Sequence, residues 1–445
     1  MSEWKTVTLG CISTQRKGIN YKSVDYCDEY TGHPFITIKC FVKGGGYAPT
    51  GIKFYDGFSI TKDHLSTGDI LFSVTDLTRA GDIVGSPLRV PEFGCDKPAL
   101  ASMDCMRVDP IVDQCDKGFL YHRLMLSDVR RQMVAYSAGS TVLHLDTKKV
   151  PSISVHVPVD VQIQGSIATI LDTTDQAIEK TEALIKKYQQ IKAGLMHDLF
   201  TRGIGADGKL RPPREQAPEL YQETPTGWIP KDWNISSLRV KARPGVSHLR
   251  TGPFGSSLKR EHWVEDGTPV ITIGALGEGE FDATELLFIG DFDAKRLHDF
   301  QMKLGDVVFS RVADVGRSVV INEEQVGWIM SSNLMRIALD QSKVIPDYLQ
   351  YQLSFDSRIK KQIRCKVNSS GRDVANSEVL NSLAFIWPDI EEQKEIIKRA
   401  RSVSRRIGTE RKKLKKLGKQ KSGLMNDLLT GKKQITGDQP EALHV

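Results

Sequence analysis

Ten residues near the middle of this chain return near its end. Lys192-Ala193-Gly194-Leu195-Met196-His197-Asp198-Leu199-Phe200-Thr201 recurs as Lys421-Ser422-Gly423-Leu424-Met425-Asn426-Asp427-Leu428-Leu429-Thr430, with seven of the ten positions identical. The offset of 229 residues is about half of the 445-residue chain, so the sequence reads as a tandem duplication. A duplicated molecule folds as two copies of one scaffold and presents two similar surfaces. That restricts its architecture more than any single motif does.

The repeat extends upstream. Trp4 and Leu9 match Trp233 and Leu238 at the same offset. Gly32-x-Pro34-x-Ile36-Thr37-Ile38 matches Gly267-x-Pro269-x-Ile271-Thr272-Ile273 at 235, and Gly68-Asp69-x-x-Phe72-Ser73 matches Gly305-Asp306-x-x-Phe309-Ser310 at 237. Pro158 and Pro388 then precede two long helical segments, where the offset is again 229. The framework is shared while the loops differ in length, as two related but distinct recognition events would require.

The length allows two or three domains with real cores. A net charge of +6 is compatible with nucleic acid without requiring it. Cys95, Cys105 and Cys115 are too far apart for a zinc pair, and there is no CxxC or HExxH, so the seven cysteines read as reduced thiols and no metal is expected. Met1-Ser2-Glu3-Trp4-Lys5 has no apolar signal region and no stretch approaches a membrane span, so a soluble cytoplasmic protein is expected.

From Trp4 to about Pro158 the text reads as short strands, among them residues 35–38, 70–74 and 152–157, with Gly and Pro as punctuation. Residues 113–134 read as helical, giving an α+β unit. The period then changes. Ile167, Ile170, Thr174, Ala177, Thr181, Leu184, Tyr188, Ile191 and Leu195 follow alternating steps of three and four, a heptad-like seam on one helix. Leu171, Ile178, Ile185 and Leu199 form a second row beside it. Residues 203–227 hold Pro212, Pro213, Pro218 and Pro225 among polar residues and read as a flexible linker. A second strand-rich unit follows through Trp387. A second long helix then carries Ala400, Val403, Ile407, Leu414, Leu417, Leu424 and Leu428 at heptad-compatible spacing, with dense Lys and Arg between 394 and 421. The last residues, 432–445, read as a disordered tail. Two such stripes are wider than one small domain covers, so the helices are expected to pair antiparallel and relate the halves by a pseudo-twofold axis.

Catalytic signals are missing. Gly203-Ile204-Gly205-Ala206-Asp207-Gly208-Lys209 fits GxxxxGK, but Leu210 stands where magnesium binding needs Ser or Thr, and the segment leaves a helix. Gly274-Ala275-Leu276-Gly277-Glu278-Gly279 lacks a surrounding crossover unit and reads as a tight turn. Asp109-Pro110-Ile111 resembles the start of the Asp-Pro-Pro-Tyr site of amino-methyltransferases but lacks its second Pro and its aromatic. No residue is nominated as catalytic.

Recognition chemistry is present at corresponding loops of both repeats. The first unit offers Lys43 and Tyr47 around Gly44-Gly45-Gly46, then Arg79, then Ser140 beside Gly139. The second offers Ser256 and Lys259, then Ser310, Arg311 and Arg317, then Ser370 and Arg372. Arg donates bidentately to guanine, while Lys, Ser and glycine-turn N–H groups suit phosphates. Any one of these basic residues reads as a solvated charge. The set favours DNA contact.

These features coincide with a known family. Pro388-Asp389-Ile390-Glu391-Glu392-Gln393-Lys394-Glu395-Ile396 opens the second long helix, and Lys421-Ser422-Gly423-Leu424-Met425-Asn426-Asp427-Leu428-Leu429-Thr430-Gly431-Lys432 closes it. With Gly227-Trp228-Ile229-Pro230-Lys231-Asp232-Trp233 and Gly305-Asp306-Val307-Val308-Phe309-Ser310-Arg311, they make the chain resemble, over essentially its whole length, the specificity subunit of type I restriction–modification enzymes.

The resemblance implies two tandem target-recognition domains, 1–158 and 227–388, separated by conserved helices 159–202 and 389–431 acting as a ruler, with 203–226 as linker. Each domain would read half of a split site in double-stranded DNA. Leu171, Ile178, Leu184, Ile185 and Leu195 of the first helix and Val403, Ile407, Leu414, Leu417 and Leu424 of the second would pack the helices and dock two methyltransferase subunits. Motor-nuclease restriction subunits would join outside. S-adenosylmethionine, ATP and magnesium would belong to those partners. The first repeat departs from the pattern: Pro158-Val159-Asp160-Val161-Gln162-Ile163-Gln164 lacks the usual Glu-Gln pair, and Val74-Thr75-Asp76 replaces the Ser-Arg start of the glycine turn. Two other readings stay open, a DNA-reading subunit whose single partner fuses methylase and nuclease, and a free-standing DNA-binding regulator.

Overall fold

The computed structural model describes residues 3–29, 31–78, 80–277, 281–312, 315–369 and 374–433. The chain forms two compact units, Met1–Ala183 with Lys412–Val445, and Leu184–Arg411. Their limits fall inside the two long helices, Val161–Thr201 and Ile390–Leu428, rather than at the helix ends, so each helix contributes a part to each unit.

In the first unit Trp4–Thr8 pairs antiparallel with Ser154–Pro158. A four-stranded antiparallel sheet has the order Ser13–Lys17, Cys105–Pro110, Ile70–Ser73, Pro87–Arg89. A third sheet orders Lys53–Tyr55, His33–Ile36 and Leu100–Ala101, the last pair parallel. Two short helices, Lys117–Leu124 and Ser127–Ala135, stand where one helical segment was expected.

The second unit repeats this plan. Asn234–Ser236 pairs antiparallel with Phe385–Trp387. Its four-stranded antiparallel sheet runs Leu249–Thr251, Leu334–Ile337, Val307–Ser310, Ser318–Val320. The further sheet again ends on a parallel pair, Thr268–Ile271 with Ile329–Met330.

The repeated motifs are folding devices. Gly68 and Gly305 take positive φ, 82° and 77°, in the turn before the central strand. In each turn the following aspartate, Asp69 or Asp306, accepts the N–H of the residue three before it, Ser66 or Lys303, both at 2.9 Å. The long helices open and close alike. Asp160 and Asp389 accept the N–H groups of Gln162 and Glu392 at 2.8 Å, satisfying first-turn donors. Gly203 and Gly431 lie just past the other ends at φ 63° and 72°.

Gln164 corrects one expectation for the first repeat. It is fully buried, donates to Pro158 O at 2.8 Å and accepts from Asp116 N at 2.9 Å. Gln393, 229 residues on, is also fully buried, donates to Pro388 O at 2.9 Å and accepts from Ile345 N at 3.0 Å. The glutamine half of the Glu-Gln pair is therefore present in both repeats, and only Glu392 has been replaced, by Ile163.

Within each unit the helix segments run antiparallel. In the first, Ile167, Ala168 and Leu171 share a core with Leu428 and Leu429, and Lys421 pairs with Asp175 at 2.5 Å. In the second, Met196, Leu199 and Phe200 share a core with Ile396, Ile397 and Ala400, and Ile204 N donates to Glu392 at 2.6 Å. Along the chain, 175 to 204 and 392 to 421 are 29 residues each. Each leucine or isoleucine buried this way contributes about 1.5–3 kcal/mol.

The seam is displaced from the expected one. Ile167, Leu171, Thr181, Ile185, Met196 and Leu199 are buried, and Ile178 is half-buried. Ile170, Ala177, Leu184 and Leu195 are half-buried, and Ile191 is 45% exposed. The row 170, 177, 184, 191 sits one residue, about 100° of helix, to the side of the packed row and forms its rim. On the second helix Ile407 and Leu417 are buried, while Val403, Leu414 and Leu424 are half-buried.

Residues 203–226 are not a flexible tether. Arg211 pairs with Glu392 at 2.5 Å, Tyr221 donates to Pro212 O at 2.6 Å, and Ile204, Ala217 and Tyr221 are buried. Tyr221–Thr224 forms a hairpin with Gly227–Pro230. The prolines brace a folded strap of the second unit. The glycine segment 203–209 is a turn closed by Gly205 N to Lys209 O at 2.8 Å. Among the described residues no helix is long and apolar enough to cross a membrane. The expected tail lies, from residue 434 on, outside the described residues.

Candidate nucleic-acid interface

In each unit the central strand of the four-stranded sheet runs into a turn, and other loops gather there. In the second unit Gly316 N donates to Ser310 O and Ser310 N to Arg317 O, closing the turn at 3.3 and 2.8 Å, with Gly316 at φ 109°. Arg311 N donates to Asn333 O at 3.1 Å and Ala375 N to Arg311 O at 2.8 Å. Gly252 lies so close to the Ser331 carbonyl that a Cβ there would stand 1.9 Å from it, so only glycine lets this loop approach. Segments around 252, 310–312, 315–317, 331–333 and 375 thus meet at one end of the sheet.

The first unit has the same junction with other side chains. Val74 N donates to Asp104 O and Leu145 N to Val74 O, both at 2.8 Å. Asp76 is fully buried and accepts from Thr78 N at 2.7 Å, from Val84 N at 2.9 Å and from Ile83 N. Burial alone would raise its pKa, but these N–H groups outweigh it and hold the carboxyl below the ordinary range. Thr75 Oγ1 donates to Asp104 at 2.9 Å and lies 3.5 Å from His144 Nδ1. Asp104, His144 and Asn333 carry no signal of their own in the sequence; their position beside the turn is a product of strand pairing.

The nominated residues separate into three groups. Ser256, Lys259, Ser140, Lys43 and Arg317 are exposed. Lys43 pairs with Asp82 at 2.6 Å, and Arg317 also reaches Leu276 O at 3.3 Å. Ser310, Tyr47 and Arg311 are held in the fold. Ser310 is fully buried and donates to Val312 O at 3.0 Å, because both faces of its strand are covered. Tyr47 packs edge-on against Phe93, and burial pushes its phenol up to about 12. Arg311 is half-buried and donates to Ser332 O at 3.3 Å and Ala375 O at 3.4 Å, with its pKa lowered by burial. It ties three loops together. Arg79, Ser370 and Arg372 lie outside the described residues.

One cluster in the first unit has metal-ligand types. Ligand atoms of His122, Asp172 and Asp175 lie within 4.8 Å of one another. Cations already occupy both carboxylates: Arg89 is 2.7 Å from Asp172 and Lys421 is 2.5 Å from Asp175, so the group is a charge-balanced brace. All seven cysteines are free thiols.

The family model for the type I restriction modification DNA specificity domain matches residues 1–190 and 244–419, one match per repeat. The chain belongs to the type I restriction–modification DNA specificity family. Relatives include the MjaVIII specificity subunit of Methanocaldococcus jannaschii, 23% identical over 72% of this chain and 71% of that one. The EcoBI specificity subunit of Escherichia coli is 22% identical over 89% and 78%. The crystal structure of an S subunit from M. genitalium shares the fold, with a TM-score of 0.62 over 96% of each chain at 14% identity.

For a type I specificity subunit, the two turn arginines have different consequences. Arg317→Ala should relax one base position, at a cost of about 1–3 kcal/mol, if it meets a guanine edge. Arg311→Ala should instead lower the melting temperature and weaken binding to all sequences alike, because its hydrogen bonds hold the turn. Binding across single-base variants, with a thermal melt, separates the two. Sequence-selective loss from Arg311→Ala without destabilisation would reverse these roles.

Proposed function

We propose that this specificity subunit reads a split DNA site, one half with each recognition unit, while its long helices set the distance between the halves and dock two methyltransferase subunits. The repeated junction carries this reading: one sheet plan and one set of backbone bonds, tipped by half-buried Asp104 and exposed His144 in one unit and by exposed Arg317 and Asn333 in the other. A common scaffold with unlike donors and acceptors at its tips suits two different short base sequences. The half-buried apolar row Ile170, Ala177 and Leu184, with exposed Ile191, suits a helix supplied by a partner.

In this reading the chain catalyses nothing alone. S-adenosylmethionine is held by the methyltransferase subunits, ATP and magnesium by the motor-nuclease restriction subunits, and the complex acts on double-stranded DNA in the cytoplasm. Exchange of residues 1–158 with the matching region of a relative should change one half of the methylated site and leave the other unaltered. Methylome sequencing of a strain carrying the complete operon reads this out. Change in both halves, or in neither, would refute separate reading.

A further inference from the structure

The second long helix carries thirteen Lys or Arg against five Asp or Glu, a net +8, which exceeds the +6 of the whole chain. The first long helix carries four against five, a net −1. The duplication has kept the helix and not its charge.

The excess is most concentrated in the first unit's share of the helix. Lys412, Lys413, Lys415, Lys416 and Lys419 are all exposed, and none has an ion-pair partner among the described residues. Lys412, Lys415, Lys416 and Lys419 stand at i, i+3, i+4 and i+7, one stripe on the face away from half-buried Leu414 and buried Leu417. Like charges at i, i+4 oppose a helix. The helix dipole favours cations only in the last turn, which is farther along, so it does not explain the stripe.

We infer that this lysine stripe is a sequence-independent contact to the phosphate backbone of DNA, additional to the loops at the sheet ends. It rests on the DNA-reading function proposed above. The stripe spans roughly 10 Å, about six charges of a duplex at one per ~1.7 Å. It contains no apolar or aromatic anchor, and lysine is depleted from the cores of protein–protein interfaces. Lysine's flexible point charge serves phosphates without demanding a fixed geometry. The equivalent positions on the first helix, Ala183, Leu184, Lys186, Lys187 and Gln190, keep two lysines beside Glu179 and Glu182. A pair of identical partner subunits would want two like surfaces, whereas a polyanion needs no repeat.

The test uses the reconstituted complex with two duplexes, one bearing the methylated site and one of scrambled sequence. The combined Lys412→Gln, Lys415→Gln, Lys416→Gln, Lys419→Gln variant should flatten the slope of log affinity against log salt by about 2–3, at ~0.9 for each phosphate no longer neutralised. Both duplexes should lose affinity by a similar factor, with the methylated sequence unchanged. The matching Lys→Arg variant should keep the slope, which controls for folding. Unaltered slopes in a complex of normal mass would overturn the inference. So would dissociation of a protein subunit from the complex with the slope preserved, which would make the stripe a site for an acidic protein surface. If the unmodified complex fails to distinguish the two duplexes, the proposed function fails instead, and the slopes still judge the stripe.

Discussion

Glu392→Ala should destabilise the unit Leu184–Arg411 by about 3–5 kcal/mol, the range for breaking a buried ion pair from one side. Glu392 is the hub of that unit's strap. Its carboxylate accepts from Ile204 N at 2.6 Å, from Arg211 at 2.5 and 3.0 Å, and from Trp233 Nε1 at 2.9 Å. The Glu392 and Arg211 side chains are only 6% and 10% exposed. Burial lowers the guanidinium pKa, but Glu392 and Asp232 outweigh it and leave it raised, and an arginine stays protonated even when such a partner is removed. Alanine would leave that largely buried cation with only the exposed Asp232 as its ion-pair partner, 2.6 Å away, and would strand an indole N–H and a backbone N–H. Gly203 adds to the constraint, since a Cβ there would stand 2.2 Å from both Glu392 and Trp233.

Denaturant unfolding of the unit checks this, with Glu391→Ala as control, because Glu391 is exposed and its pair with Lys394 contributes under ~1 kcal/mol. Removing both charges with Glu392→Met and Arg211→Met should recover most of the loss. A loss below about 1 kcal/mol for Glu392→Ala would mean that the strap is not held this way. The first unit provides the contrast. Trp4 is the counterpart of Trp233, but Ile163 replaces the glutamate, and Trp4 Nε1 is buried with no hydrogen-bond partner among the described residues.

A heptad inserted after Ile178 should change the spacing of the DNA half-sites or abolish activity. It lengthens one helix by roughly 10 Å, about three base pairs of B-DNA rise. In the first unit Asp175 pairs with Lys421, and in the second Ile204 meets Glu392, with 29 residues between these contacts in each helical stretch of sequence. Seven extra residues in one helix alone cannot satisfy both. A matching heptad in the second helix should restore activity with a longer spacer, read by methylome sequencing. Full activity with the original spacing would show that the helices do not measure distance. An insertion between 203 and 227 is not the neutral control that its composition suggests, because the strap there is folded onto Glu392.

Duplication, helix limits and the two-unit plan are written locally in this chain, so they are legible without coordinates. Heptad spacing, Asp160 and Asp389 as caps, and Gly203 and Gly431 as stops depend only on neighbours within a turn or two. The buried Gln164 and Gln393 were also within reach, since they share the offset of 229.

Partners far apart in sequence were not legible. Glu392 gathers groups 159 to 188 residues away, and nothing local marks residues 203–226 as folded. Ser310 and Arg317 carry the same polar signal in sequence, yet one ends a strand covered on both faces and the other is exposed. Arg311 shows the same limit: its chemistry suits a base, and only the carbonyls of Ser332 and Ala375 around it reveal a brace. Local periodicity determined which elements this protein has. Long-range packing decided which polar groups are consumed by the fold and which stay exposed, because desolvation and hydrogen bonding depend on what the rest of the chain brings alongside.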